Sequence, residues 1–163
     1  MLLTAVALTG LLLAVTAPAG QASQDSISGT GRHQPAFSPE PPIQVHVNAV
    51  ADADGANPRG AVVADMTNET SQGRYEGRVT CFTIDYTIIG PQAAIGIEIV
   101  DANDPQLVGM GQLWYFGDGG SGPDVIDRVT GFGLTPDPPT VCPRLTFAVP
   151  VLSGNYVMHD RDP

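Results

Sequence analysis

The sequence predicts a single all-β domain of about seven or eight short antiparallel strands. Apolar and polar residues alternate with a period of two over several stretches, and clusters of glycine, proline, aspartate and asparagine separate those stretches. No window of helical length keeps a 3.6-residue period. Strands joined in order by short turns form an up-and-down barrel or a Greek-key sandwich. We favour a meander barrel, because closing the first strand against the last removes exposed sheet edges.

The chain divides into three segments by composition. Residues 1–22 hold an uncharged apolar run that ends in small residues, which is typical of a secretory signal peptide. An uncleaved membrane anchor is the alternative, although Thr, Gly and Pro dilute the apolar run. Residues 23–42 are polar and proline-rich, which predicts a flexible segment with a short edge strand at 26–31. Residues 43–163 form the predicted β domain, and the protein is expected to be secreted.

Alternation predicts the first strands of the β domain. In residues 43–49 the odd positions are apolar and the even positions are polar, as in a strand with one buried face. Further strands are predicted at residues 60–66, 74–86 and 93–100, each followed by a turn. Within 74–86 the apolar residues change parity after Cys81. Either a bulge shifts the register there, or both faces of the strand are covered.

An aromatic hairpin is predicted in the second half of the chain. Residues 113–116, Leu-Trp-Tyr-Phe, form the densest aromatic stretch and predict a strand that packs against the core. The glycine-rich segment 117–123 ends this strand and reverses the chain, and residues 125–129 predict the returning strand. The remaining predicted elements are a proline-rich loop and two strands, at residues 135–142, 144–149 and 155–159.

The charge of the chain restricts its partners. The chain contains 17 Asp and Glu residues but only 7 arginines and no lysine, which gives a formal net charge of −10. A strongly acidic protein repels phosphate backbones and anionic membranes. We therefore expect no nucleic-acid partner and no stable membrane insertion after signal cleavage. The absence of lysine beside abundant glycine, proline and alanine also suggests a bacterial genome rich in GC.

Cys81 and Cys142 are the only two cysteines. In an exported chain they are predicted to form one disulfide, because an oxidising compartment favours the bond. Two buried free thiols are the alternative. A metal site built on cysteine is not favoured, since neither cysteine has a second Cys or a His at ligand spacing.

Several short motifs are shared with a known group of proteins. They are Val-Thr-Cys-Phe at residues 79–82, the Asp- and Gly-rich turn at 118–124, Cys142-Pro143, and Ser-Gly-Asn to His-Asp at 153–160. With these motifs the chain resembles an uncharacterised family of small exported proteins from GC-rich Gram-positive bacteria. The resemblance implies an exported β domain and brings no known activity with it. The chain departs from the family at residues 86–92, where the family has a tight Gly-Asn turn.

The glycine-rich turn offers candidate metal ligands. Asp118, Asp124 and Asp127 flank it, and carboxylate oxygens on a flexible loop suit Ca²⁺. The spacing is not that of an EF-hand, because no Glu closes the loop. Aspartates also favour turns for local hydrogen-bonding reasons, so the preferred interpretation is a solvated turn without a cofactor.

No catalytic residues are predicted. His33, His46 and His159 are scattered along the chain, and we expect surface histidines. Gly-Ser-Gly at residues 120–122 is followed by Pro123 and does not form a nucleophile elbow. Nothing in the sequence singles out a pair of carboxylates for glycoside hydrolysis.

The sequence therefore favours an exported, non-catalytic β domain that binds an extracellular protein, a cell-wall component or a small ligand. Within this class, a protease inhibitor would present a rigid loop such as residues 135–142. The alternative is a small secreted hydrolase or isomerase that uses carboxylates and a histidine in a barrel cleft. Clustering of His46 or His159 with a buried Asp or Glu would support that alternative.

Overall fold

In a computed structural model, the chain forms a closed antiparallel barrel in which eight strands follow one another in sequence order. The structure describes residues 24–34, 42–67, 72–87, 90–120, 127–144 and 149–160. Each strand pairs with the next, and β8 pairs with β1. The strands are β1 (Gln24–His33), β2 (Ile43–Asp52), β3 (Arg59–Thr67), β4 (Gln72–Thr87), β5 (Gly90–Ala102), β6 (Gly111–Gly117), β7 (Arg128–Gly131) and β8 (Val149–His159). The predicted all-β meander barrel is confirmed, and the Greek-key alternative is wrong.

Alternation along each strand sends apolar side chains into the barrel. In β2 the inward residues Val45, Val47, Ala49 and Ala51 are almost completely buried, while Gln44, His46 and Asn48 face outward. The predicted face of residues 43–49 is therefore the core face. In β5 the inward residues are the three isoleucines at positions 95, 97 and 99. The burial of such branched and aliphatic side chains supplies the main stabilising term of the fold.

Large aromatic side chains lie across glycines on neighbouring strands. Tyr156 of β8 is fully buried and packs directly over Gly29 and Gly31 of β1. Trp114 of β6 covers Gly131 of β7 in the same way. A glycine leaves the space that the ring fills, so the aromatic side chain restores the packing that the glycine lacks. This arrangement fills the interior where β1, β6, β7 and β8 complete the barrel.

The strand predicted as an edge is not an edge. β1 pairs with β2 along its whole length and with β8 from Ser26 to His33. It therefore lies inside the barrel wall, with a paired strand on each side. The sequence does not predict this position for β1, because few of its inward residues are apolar. Glycine occupies two inward positions and His33 another, which leaves Ile27 as the main apolar residue of the strand. Residues 35–41 of the predicted flexible segment, and the predicted signal peptide at 1–22, lie outside the described residues.

A bulge in β4 explains the change of parity after Cys81. The register between β4 and β5 shifts between Val79 and Cys81. Val79 and Phe82 are both in the core cluster, whereas Cys81 bonds to Cys142 outside it. Thr80 is the extra residue, and its hydroxyl donates a hydrogen bond to the carbonyl of Pro139. The bulge thus turns Cys81 toward the proline-rich loop, as one of the two predicted alternatives required.

The last part of the chain differs from the prediction. β8 begins at Val149 and contains the strand predicted at 155–159, and Gly154 lies within it, opposite Gly31 of β1. The strand predicted at 144–149 falls mainly outside the described residues. Arg144 lies before β8, and residues 145–148 are outside the described part. The strand predicted at 125–129 is observed as β7, a few residues later, and it pairs with β6 as the hairpin required. Among the described residues, no helix is long and apolar enough to span a membrane.

Candidate functional site

The proline-rich loop, residues 135–142, lies across the outer face of β6, β5 and β4. Its first residue, Thr135, forms two backbone hydrogen bonds of 2.8 Å with Gly111 of β6. Its last residue, Cys142, is bonded to Cys81 of β4, with the two Cα atoms 5.6 Å apart. The predicted disulfide is therefore confirmed. Between these points the Thr80 hydroxyl holds the Pro139 carbonyl at 2.6 Å.

Two glycines allow the loop to lie this close to the barrel wall. A Cβ atom at Gly111 would lie 2.6 Å from the Asp137 carbonyl oxygen and from Cα of Pro138. A Cβ at Gly96 would meet Sγ of Cys81 at 2.6 Å and the Pro139 ring at 2.8 Å. Both distances are far below van der Waals contact, so any side chain there would push the loop outward. The loop is held along its length, and not only at its ends.

The loop nevertheless exposes an aliphatic side chain. Val141 is 75% exposed, the largest value among the exposed large hydrophobic residues of the described chain. Thr140 beside it is also exposed, and neither residue makes a hydrogen bond in the described structure. Exposing an apolar side chain gains nothing for folding. Single exposed apolar residues are common on protein surfaces, so the feature that distinguishes Val141 is the fixed loop that presents it. Such a side chain is suited to contact another molecule.

An acidic groove of about 390 Å³ lies beside the end of this loop. Its carboxylates come from Asp25, Asp54, Asp85 and Asp160, which belong to β1, the β2–β3 turn, β4 and the segment after β8. Arg144 is the one cation among its described lining residues, and its Nε lies 2.9 Å from Oδ2 of Asp85. Tyr86, which is 61% exposed, lines the groove as well. The groove therefore has a negative potential that favours a cationic partner.

The aspartates predicted as calcium ligands have structural partners. Asp118 accepts hydrogen bonds from the backbone N–H of Gly120, at 2.6 Å, and of Met158, at 3.1 Å. Asp127 is buried and accepts from the N–H of Tyr156, at 2.6 Å, and of Gly119, at 3.1 Å. Asp124 lies outside the described residues. Within the described part of the chain, no three His, Cys, Asp or Glu residues form a group that could hold a metal.

These two carboxylates accept backbone hydrogen bonds from the part of β8 that does not pair with β7. β7 pairs only with residues 149 and 150 of β8. Further along β8, the carboxylates of Asp127 and Asp118 accept the N–H groups of Tyr156 and Met158, in place of carbonyl groups from a neighbouring strand. Asp118 and Asp127, which flank the Asp- and Gly-rich turn, thus take part in the closure of the barrel. Charged acceptors make stronger hydrogen bonds than neutral ones.

Replacing the buried carboxylate should weaken this closure. We expect Asp127→Asn to lower the free energy of unfolding by about 2–3 kcal/mol, because the new amide must present an N–H group to at least one backbone donor. Urea denaturation of both forms measures the difference. Asp101→Asn, at an exposed position of β5, is the matched control and should stay within about 0.5 kcal/mol of the wild type. Equal stability of all three forms would contradict the structural role of Asp127.

The three histidines do not come together. His46 and His159 are exposed, as predicted, and His46 Nδ1 lies 2.8 Å from the hydroxyl of Thr30 on the outside of the barrel. His33 differs from the prediction, since it is only 2% exposed and its ring makes an edge contact with Trp114 at 6.1 Å. Its Nδ1 has no hydrogen-bond partner in the described structure. His33 occupies an inward position of β1. The sequence does not predict its burial, because β1 has too few apolar residues to show which of its faces is buried.

Burial gives His33 a measurable effect on stability. It lowers the pKa of the imidazole to about 4, whereas a histidine in the unfolded chain titrates near 6.5. The unfolded state therefore binds the proton first, so stability is full above pH 6.5 and falls as the pH is lowered toward 4, by about 3 kcal/mol at most. His33→Phe should remove this part of the pH dependence in urea denaturation, while the exposed His159→Phe should retain it. An unchanged pH profile in His33→Phe would contradict the assignment.

Comparison with known proteins gives no relative from which a function could be inferred. No protein-family model, curated protein or solved structure matches the chain. The resemblance based on the Val-Thr-Cys strand, the Asp- and Gly-rich turn and the final strand stays a prediction. The structure gives two of these motifs a physical role, since Cys81 fixes the proline-rich loop and Asp118, at the start of the turn, accepts the N–H of Met158 in β8.

Proposed function

We propose that the protein is an exported, non-catalytic binding domain that contacts a protein partner through the proline-rich loop. The observation that carries the proposal is the exposure of Val141 on a loop that is fixed by a disulfide, by paired backbone hydrogen bonds and by close packing on two glycines. Fixing a loop before binding removes the entropy cost of ordering it in the complex. The loop is therefore prepared for contact without further folding.

The surroundings of the loop indicate the charge of its partner. The acidic groove begins at Arg144, two residues beyond Cys142, and already neutralises that arginine through Asp85. Its other carboxylates belong to Asp25, Asp54 and Asp160, and the whole chain is strongly acidic. Complementary charge raises the rate of association and selects among partners. A partner with an apolar contact site beside a basic surface fits this face.

The catalytic alternative finds less support. It depends on a histidine that meets a carboxylate in a cleft, yet His46 and His159 are on the outer surface, and the acidic groove has no histidine among its described lining residues. The buried His33 contacts Trp114 in the barrel interior. These positions bring no histidine next to the carboxylates of the groove, which favours a binding function over the predicted pair of a histidine and a carboxylate.

Site-specific photo-crosslinking tests the proposal. A benzophenone side chain is placed at Val141 in one sample and at Leu152 in another, an exposed position on β8 that is 61% accessible. Both proteins are irradiated in the culture medium of the source organism, with and without excess unmodified protein. We expect a defined extracellular protein to crosslink at 141 and not at 152, and the excess to abolish the product. Identical background products from both positions would overturn the proposal.

A further inference from the structure

The loop contains a short stretch of main chain that is exposed, unpaired and fixed on both sides. On one side, Pro139 is held by the Thr80 hydroxyl, and on the other, Cys142 is held by the disulfide. Between them, the N–H and carbonyl groups of Thr140 and Val141 make no hydrogen bonds in the described structure. An enzyme that binds an extended peptide through its main chain requires free groups of this kind.

We propose that residues 138–142 inhibit a serine protease, with Thr140 in the specificity pocket and Val141 just beyond the attacked bond. This inference rests on the proposed function and names its partner class. The choice of Thr140 depends on the residue two positions after it, whose N–H group the enzyme binds. With Thr140 in the specificity pocket, that residue is Cys142, which has a free N–H group. With Val141 in the pocket, it would be Pro143, which has none. Pro139 precedes Thr140, at a position where a substrate needs no N–H of its own. Pro138, one position earlier, has no N–H to donate, so the main-chain contacts with the enzyme come from the residues between Thr140 and Cys142.

The side chains define the kind of protease. Thr140 is small and β-branched, so it fits a shallow apolar pocket of the elastase type and not the deep anionic pocket that receives Lys or Arg. The complex also requires a complementary enzyme surface, and the acidic groove next to Arg144 favours one with basic residues near its cleft. The expected partner is therefore an extracellular serine protease that accepts small aliphatic side chains.

The geometry also explains why the loop would inhibit and not simply be digested. The protease serine Oγ attacks the Thr140 carbonyl carbon, the Thr140–Val141 C–N bond breaks, and the new amine of Val141 takes a proton. That amine cannot diffuse away, because Cys142 next to it stays bonded to Cys81. The amine can therefore attack the acyl-enzyme ester and restore the peptide bond before water hydrolyses the ester. Hydrolysis, when it occurs, adds one water and leaves the two parts joined by the disulfide.

A specificity switch tests the inference. Wild-type protein is titrated against pancreatic elastase and against trypsin, and the same is done with Thr140→Lys and with Ser153→Lys, an exposed control on β8. We expect the wild type and the control to inhibit elastase only. Thr140→Lys should lose inhibition of elastase by about 100-fold or more and gain inhibition of trypsin. After long incubation, denaturing electrophoresis should separate the cleaved protein into two fragments only when it is reduced.

Two results would overturn the inference. One is rapid, complete digestion of the wild type by elastase at the loop, which would make the loop a substrate. The other is inhibition of neither enzyme by either the wild type or Thr140→Lys. If either result accompanies a specific crosslink at Val141, the proposed function stands and only its partner class is wrong. If no specific crosslink forms at Val141 either, both the proposed function and the inhibitor inference are wrong.

Discussion

Replacing Cys81 and Cys142 by serine is expected to lower the free energy of unfolding by about 4 kcal/mol. The two residues are separated by 61 positions, and cross-linking them removes many conformations from the unfolded chain. The barrel should remain folded at room temperature, because every pair of neighbouring strands keeps its hydrogen bonds. Urea denaturation, followed by tryptophan fluorescence of the buried Trp114, measures the change.

Reduction of the wild-type protein provides the control for this experiment. Wild type in excess reductant should lose the same stability as the double variant, and the double variant should not respond to reductant. Cleavage of the loop by a nonspecific protease should become faster in both reduced forms, because the loop then loses its covalent attachment and keeps only its hydrogen bonds at Thr135 and Pro139 and its packing on Gly96 and Gly111. A loss below about 1 kcal/mol would show that the bond does not restrict the unfolded chain as the chain-entropy account requires.

Tyr156→Ala should be equally damaging, with an expected loss of about 4 kcal/mol. The side chain is fully buried, its ring lies 5.0 Å from that of Phe116, and its hydroxyl donates a hydrogen bond of 3.2 Å to the Val45 carbonyl. Burial and the charge of Asp127 raise the pKa of Tyr156, so the hydroxyl stays protonated as this bond requires. Val157→Ala, on the outward-facing neighbour, should change stability by less than about 1 kcal/mol.

A double-mutant cycle identifies the reason for the loss. A Cβ atom at Gly31 would lie 2.6 Å from Oη of Tyr156, so Gly31→Ala should destabilise the wild type. In the Tyr156→Ala protein the same substitution should be tolerated, because the ring that opposed it is absent. The expected interaction energy is about 1–3 kcal/mol. Simple additivity of the two changes would contradict packing of the ring over the glycine.

The pattern of apolar residues determines most of the barrel. β2 and β5 have enough branched and aliphatic residues at alternate positions for their core faces to be evident from the sequence alone. β1 does not, since Gly29, Gly31 and His33 occupy its inward positions, and their burial depends on Tyr156 and Trp114 from distant parts of the chain. Tertiary contacts of that kind leave no mark within the strand itself.

The candidate site divides in the same way. Pairing of Cys81 with Cys142 follows from the number of cysteines and the expected export, and the structure confirms it. The path of the proline-rich loop does not follow, because it depends on Gly96 of β5 and Gly111 of β6, two glycines on neighbouring strands that both contact the loop. The acidic groove combines carboxylates from four separate segments, so no spacing in the sequence reveals it.

The pairing of β1 with β8 determines when the protein can fold. Ser26 pairs with His159 and Arg32 pairs with Ser153, so the first strand cannot complete its pairing until the last strand has been synthesised. Contacts between such distant residues require closure of nearly the whole chain, which slows folding. A chain that cannot complete its barrel early stays extended for longer after synthesis. If the protein is exported as proposed, that delay would let the chain cross a membrane before it folds and let the two cysteines reach an oxidising compartment as free thiols.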